Sequence, residues 1–363
     1  MVRSLIFLPP IRFYPNLFVS KLGRVARYTS SFTNKNILAK ARIFDKANYR
    51  THLKRDEMNE TKTSIFQRPA WVVTFALTAA IAWGWAYPLI KLGFGEFGIT
   101  QEMTGSKMLF AGIRFAISGL IVLAIARGKG KDFGVAHPCN WWYLLVFALL
   151  NTTLHYACFY IGLSHSEGAR AAILNSLGVF LLVLFACMFF KSDKLTMQKI
   201  IGCVIGFAGI LALNVGSGGS GGGFTLLGDG MIILNALCSA SAGLMTRGLR
   251  TRVDVFVGTG YSLAIGGALL ILPGLMMGGT LPRMTVGGVA ILGLLICIST
   301  LGFTLYNKLL SCNPVGKVAI FNSLIPVVGA ITSCLCLAEP FYWKYLVAAV
   351  LATVGIYIIN KGK

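Results

Sequence analysis

HSEGARAAILNSLGVF, residues 165–180, and CNPVGKVAIFNSLIPV, residues 312–327, are two copies of one pattern. Laid over one another they pair Arg170 with Lys317 and Asn175-Ser176-Leu177 with Asn322-Ser323-Leu324. After a one-residue slip the match continues, setting Asp193 opposite Glu339, Gly209-Ile210 opposite Gly355-Ile356, and Asn214 opposite Asn360. Upstream, AWGWAYPLIKLG from Ala82 lies over CSASAGLMTRGL from Cys238, so that Lys91 meets Arg247. Self-similarity over such a distance is the mark of a chain built twice from one unit.

The repeated unit is made for lipid. Hydrophobic residues form 56% of the 363 residues and charged ones 12%, and the mean hydropathy is +0.73, far from the usage of soluble domains. A hydrocarbon layer about 30 Å thick needs roughly 20 apolar residues per helix. Ten segments approach that length: 71–92, 106–126, 141–162, 168–190 and 197–214 in the first copy, then 226–247, 255–275, 286–309, 315–337 and 342–360 in the second. Their apolar character is continuous rather than alternating, which selects helices over a lipid-facing barrel. The expected fold is an all-α membrane protein of ten transmembrane helices in two five-helix repeats. Five is odd, so the second copy enters the bilayer in the opposite sense to the first, and the repeats are inverted.

Short loops set the orientation. Arg127, Lys129 and Lys131 follow the second segment, Lys191 and Lys194 the fourth, and Arg250 and Arg252 the sixth. The loops after the first and fifth carry neither Lys nor Arg. Basic loops stay cytoplasmic, which places both termini in the cytoplasm of a multi-pass protein in the plasma (inner) membrane. The expected organisation is a basic tail over 1–67, a first repeat over 68–214, a Gly/Ser linker over 215–225 and a second repeat over 226–363. GSGGSGGG at 216–223 has the composition of a flexible linker. No Gly-Lys-Ser/Thr follows it, so a phosphate loop is disfavoured. Residues 1–68 hold fourteen Lys and Arg against four Asp and Glu. Three readings of this tail stay open: a cytoplasmic segment meeting anionic lipid, an organelle transit peptide that would imply an organelle membrane, or sequence upstream of a start at Met58. Nucleic-acid binding ranks lowest, because no aromatic platform or known module accompanies the charge. The nine cysteines, an odd number lying mostly in apolar runs, include no CxxC pair and no Cys/His cluster of zinc spacing, so neither a disulfide framework nor a metal site is implied.

At this point the residues resemble a family. WGWAYPLIK at 83–91, Arg114 in the second segment, and LSHSEGARAAILNSLGVF with the KSDKLT turn are similar to the repeats of EamA-type transporters in the drug/metabolite transporter superfamily. The resemblance runs from about Arg68 to the C-terminus. It implies a carrier fold with no cofactor, and it is nearly silent on substrate, since the superfamily moves amino acids, sugars, nucleotide sugars and phosphorylated metabolites. Two departures stand out: Asp193 takes a position where many members have Glu, and Ser239-Ala240 replace the Trp-Gly pair in the second copy.

Charge at the centre of a membrane helix costs about 2.5–3.5 kcal/mol, so intramembrane ionisable groups need partners or water. The pathway candidates are Trp83, Lys91, Arg114, His155, Tyr160, Arg170, Asn175, Asn235, Lys317 and Asn322. Each has a plainer reading. Arg114 suits a substrate site or a bond to neighbouring carbonyls, His155 a hydrogen-bonded core position, and Lys91 a snorkelling side chain. Asn175 and Asn322 occupy matched positions, as a shared cavity or an interhelical bond would require. Arg170 and Lys317 begin the fourth and ninth segments, where charge and helix dipole reinforce one another, and are expected to recruit an anionic or zwitterionic solute at opposite mouths or to anchor the interface. Trp83 and Tyr160, with Trp85, Tyr87 and Tyr156, stack on substrate or simply pack.

The reading that results is a non-enzymatic secondary carrier working by alternating access on an amino-acid-like or other zwitterionic or anionic metabolite. Its partners are that solute and the bilayer, with a homodimer left open. The rival classes are a channel and a membrane-embedded enzyme. The chain shows no HExxH, no paired carboxylates and no nucleophile beside a base, and no element resembling a selectivity filter.

Overall fold

The computed structural model describes residues 65–135, 138, 140–189, 195–212, 224–249, 251–313, 318 and 320–361. Contacts divide the chain into Met1–Arg68 and Pro69–Lys363. In the first unit the described residues form a single 3-10 turn, Ile65–Gln67. In the second unit the described residues form helices joined by loops, with no strand among them.

Its helices are α1 Pro69–Phe97, α2 Thr104–Gly128, α3 Asn140–Ser164, α4 Gly168–Phe189 and α5 Met197–Ala212, then α6 Met231–Leu249, α7 Val255–Met276, α8 Val286–Cys312, α9 Leu324–Leu337 and α10 Trp343–Lys361. α5, α9 and α10 have shorter apolar spans than the other seven. The ten helices match the ten segments read from sequence, with shifted ends. α1 runs past Leu92 to Phe97 because Phe94 and Phe97 bury against Phe110, and tertiary packing overrides the helix-breaking tendency of Gly93 and Gly95. It stops where Gly98 turns left-handed at φ 68°. The Ile99 N–H then donates to Phe94 O at 2.8 Å and the Gly98 N–H to Gly95 O at 3.1 Å, a Schellman closure that a side chain at Gly98 would strain. The expected start of the ninth segment at 315, the end of the fifth at Asn214, and Asp193 lie outside the described residues.

Small residues bring repeat mates together. α2 and α7 pack more extensively than any other helix pair in the bundle, and α5 and α10 come next. A Cβ on Gly105 would lie 2.8 Å from Gly274 O, and one on Gly112 2.8 Å from Gly267 O. These glycines recur every seven residues on both helices. In lipid, where apolar side chains gain little by leaving the tails, such backbone approach supplies the van der Waals contact that holds helices together. Gly202 against Gly355, and Gly209 against Ala348, repeat the device between α5 and α10.

The first helix of each half crosses into the other half. α1 packs on α8 and α9, whereas α6 packs on α3 and α4. The core is therefore two three-helix bundles, each mixing both repeats and related by the inverted duplication. Apolar side chains such as Leu120, Leu211, Leu272 and Leu335 face outward on the periphery, as a lipid-facing surface requires. The bundles meet chiefly where α4 contacts α9, with smaller contacts of α1 on α4 and of α6 on α8, and a cavity lies between them.

Candidate substrate pathway

Two interruptions shape the cavity wall. α4 breaks its helical bonding at Asn175-Ser176, where the Ser176 hydroxyl donates to Ile173 O. α9 is preceded by a 3-10 turn, Ile320–Ser323, at the matching Asn-Ser pair. Discontinuous helices at corresponding points of two repeats are a mark of transporter binding sites, since irregular backbone in a membrane survives only where it is buried or lines a cavity. A third irregularity, the π-helical turn Leu149–Thr153, carries Asn151 onto the same wall, and π-turns cluster at functional positions.

The cavity volume is about 150 Å3, some ten times the ~10–15 Å3 that one water needs on the same measure. Its walls come from α1, α3, α4, α6, α8 and α9, with Arg114 reaching in from α2. Aromatic rings dominate the middle: Trp83, Tyr87, Tyr156, Phe159, Phe303 and Tyr306. Among the described residues no Asp or Glu and no Lys lines it.

Arg114 is 1% exposed. Its Nε donates to Ser299 Oγ at 2.7 Å and Leu295 O at 3.1 Å, and its Nη1 to Tyr160 Oη at 2.9 Å. The guanidinium also lies 4.8 Å from the Phe115 ring centre. These contacts neutralise much of the burial cost without a counter-charge. Arg114 thus joins α2 to α3 and α8 and faces the cavity.

Of the remaining candidates, Trp83, His155, Asn175 and Asn322 line the cavity. Trp83 packs edge-on to Phe303 and Tyr306. Its Nε1 and the Nδ1 of His155 are buried without a hydrogen-bond partner. Asn175 donates to Tyr87 Oη at 2.8 Å and accepts from Asn235 Nδ2 at 2.6 Å, so Asn235 stands behind the wall as a support. Asn322 donates to Tyr306 Oη at 2.7 Å. The matched asparagines differ in what they join: Asn175 links α4 to α1 across the two bundles, while Asn322 bonds within its own. Tyr160 is buried behind Arg114. Trp85 turns away from the bundle and is exposed on its surface.

Lys91 and Arg170 do not line the cavity, and the expected recruiting role for Arg170 is replaced by a buried ion pair. Arg170 Nε and Nη2 grip Asp229 at 2.8 and 2.7 Å, and the Thr225 N–H also donates to Asp229. This clamp stays inside one bundle, fastening α4 to the start of α6. The Lys91 Nζ meets Glu339 at 2.7 Å and Ser166 O at 2.9 Å. Glu339 accepts as well from the Gly168 and Ala169 N–H groups at 2.8 and 3.2 Å, where the α4 dipole favours a negative charge. Tyr345 donates to the neighbouring Glu167. The Lys91–Ser166 and Glu339–α4 contacts cross between the bundles at the face beyond the lining residues Ile90 and Ala172. At the other end the cavity reaches Leu310 and Thr246, within a turn of the ends of α8 and α6. Lys317 lies outside the described residues.

Sequence reasoning passed over Asn151, Phe303, Tyr306 and Asn307. A signal existed for two of these. Extended six residues backwards, the pairing of His165 with Cys312 sets Phe159 opposite Tyr306 and Tyr160 opposite Asn307. Among the described residues no group of three or more His, Cys, Asp or Glu is placed to hold a metal ion.

Comparison with known proteins accords with this geometry. The profile of the EamA-like transporter family matches residues 70–215 and again 226–361. The chain is 26% identical over 286 residues to the uncharacterized transporter YvbV of Bacillus subtilis (strain 168), covering 77% of this chain and 88% of that one. It is 25% identical over 304 residues to a probable amino-acid metabolite efflux pump of Salmonella typhimurium, covering 78% of this chain and 92% of the pump. A solved crystal structure shares the fold with a TM-score of 0.61 at 19% identity, over 79% of this chain and 97% of that one.

Proposed function

Because the chain belongs to the EamA-like transporter family, we propose that it is a secondary carrier moving a small zwitterionic or anionic organic solute by alternating exposure of the central cavity. The observation that carries this reading is the place of the cavity. It lies between two bundles that each combine helices of both repeats, so an exchange of conformations between the halves would transfer its opening from one face to the other. The Lys91–Glu339 bridge, with the capped start of α4, is then the closure of one face, and the Asn175–Tyr87 bond beneath it belongs to the same closed state.

Orientation follows from charge. Arg127, Lys129, Lys131, Arg252 and Lys308 gather at the face opposite the bridge, and basic ends stay cytoplasmic. On this reading both termini are cytoplasmic in the plasma membrane, the bridge faces outward, and the cavity approaches the cytoplasm. The curated relative named as an amino-acid metabolite efflux pump supports a small polar solute. So does a cavity lined by amides, aromatic rings and one guanidinium.

The test is a thermal-shift screen of small metabolites on detergent-purified protein, followed by flux in proteoliposomes with the solutes that stabilise it, since stabilisation grows with concentration over affinity. A carrier gives saturable uptake that competing solutes suppress. Flux that rises without saturation, or ionic conductance, would instead identify a channel.

A further inference from the structure

We infer that Arg114 is the anchor for a substrate carboxylate, and that the cavity selects small monocarboxylates with an apolar or aromatic body over phosphorylated and cationic solutes. The inference rests on the carrier reading for its physiological meaning, but its binding part stands on the cavity alone.

Three observations carry it. First, the guanidinium is oriented rather than used up. Nε and Nη1 are engaged by Leu295, Ser299 and Tyr160 from two different helices, while Nη2 has no hydrogen-bond partner among the described residues and Arg114 lines the cavity. A guanidinium held from behind with a free N–H edge is suited to a planar oxyanion. Second, Arg114 is the one permanently charged side chain in the described lining. A carboxylate balances that single charge. A phosphate monoester, carrying close to two negative charges, leaves a surplus in a site with no second cation, and uncompensated charge in a desolvated cavity is costly. An organic cation meets the opposite difficulty, because no lining carboxylate offsets Arg114. Third, the wall beside the guanidinium is aromatic. Tyr156 and Phe303 line the cavity with ring centroids 6.1 Å apart, and the buried Phe115 backs them, tilted against Tyr156 at 3.9 Å and 6.3 Å from Phe303. An apolar or flat body would lie against this wall, gaining area and ring contact.

The aromatic lining supplies a competing arrangement, since rings of this kind also attract ammonium groups. The charge of Arg114 is what weighs against it, so the nature of the head group decides the matter. Four probes share one body and differ only there: 4-ethylbenzoate, 4-ethylbenzamide, 4-ethylbenzylamine and 4-ethylphenyl phosphate. Binding is measured calorimetrically on the full purified chain, and flux is followed in proteoliposomes. The benzoate is expected to bind at least about ten-fold tighter than the amide, as a charged hydrogen bond implies, and the amine and the phosphate to bind more weakly than the benzoate. Arg114→Gln is expected to remove the preference for benzoate over amide while leaving affinity for the amide unchanged. Should that variant fail to fold, Tyr160→Phe serves: loss of the Nη1 bond lets the guanidinium turn, and benzoate affinity falls several-fold with amide affinity steady. A merely structural role for Arg114 would lower both affinities together. Preference for the amine or phosphate, equal binding of all four, or no binding by any of them overturns the inference. Saturable flux of a probe other than the benzoate would leave the carrier reading standing, whereas tight benzoate binding without flux would leave the anchor and remove the carrier.

Discussion

Arg170 and Lys91 show how the same need, a partner for a cation in lipid, serves two purposes. Arg170 is 5% exposed and its pair with Asp229 stays inside one bundle, whereas the Lys91–Glu339 pair reaches across to the other bundle through Ser166 O and the Gly168 and Ala169 N–H groups. Removing one member of a buried pair strands the other, at a cost of about 3–5 kcal/mol. Arg170→Met and Asp229→Leu should therefore each lower the unfolding midpoint of the purified protein by more than the double substitution does. Additive losses would show that the pair is not a unit. The cations, the amides and Arg114 were legible in the sequence because polar groups stand out in apolar runs. Their partners were not. Asp229 lies 59 positions from Arg170, and Glu339 lies 248 positions from Lys91, and only the folded chain brings them together. The clamp on Asp229 is also why Arg170 is unavailable to solutes, despite standing at a helix start where charge alone suggested a mouth.

At the scale of the helix, the glycines along α2 and α7 are contact surfaces. Gly267 sits against the backbone of Gly112 and Ala116 on α2, and overpacking such a seam costs about 1–3 kcal/mol. Gly267→Ala should lower the thermal midpoint of the detergent-solubilised protein, while Gly293→Ala, where an added Cβ meets nothing within 4 Å, should leave it unchanged or raise it slightly. Equal effects at the two positions would dismiss the seam as the basis of α2–α7 packing. Helix number and approximate spans were readable from hydropathy, because length in lipid is a physical requirement. The interruption at Asn175-Ser176 and its counterpart at Asn322-Ser323 were readable as matched residues, though not as breaks, since Asn and Ser are compatible with both helix and cap.

For the whole molecule, the inverted duplication followed from an odd number of helices per copy, and the fold agrees. The exchange of α1 and α6 between halves had no signal in a single sequence, because it depends on which apolar faces meet. Alternating exposure is the central claim built on that exchange, and it is tested most directly by reaching the cavity from each side in turn. Ser239→Cys places a thiol on the cavity wall, introduced into a chain whose native cysteines have been replaced. An impermeant maleimide is applied to right-side-out and to inside-out vesicles. The thiol should react from the face bearing Lys129, Lys131 and Arg252 and stay protected from the face sealed by Lys91 and Glu339. Adding Glu339→Gln, which weakens a charge-assisted contact, should raise labelling from the sealed face about ten-fold. Labelling that is equal from both faces in the parent, or a Glu339→Gln variant that stays closed, would contradict the account.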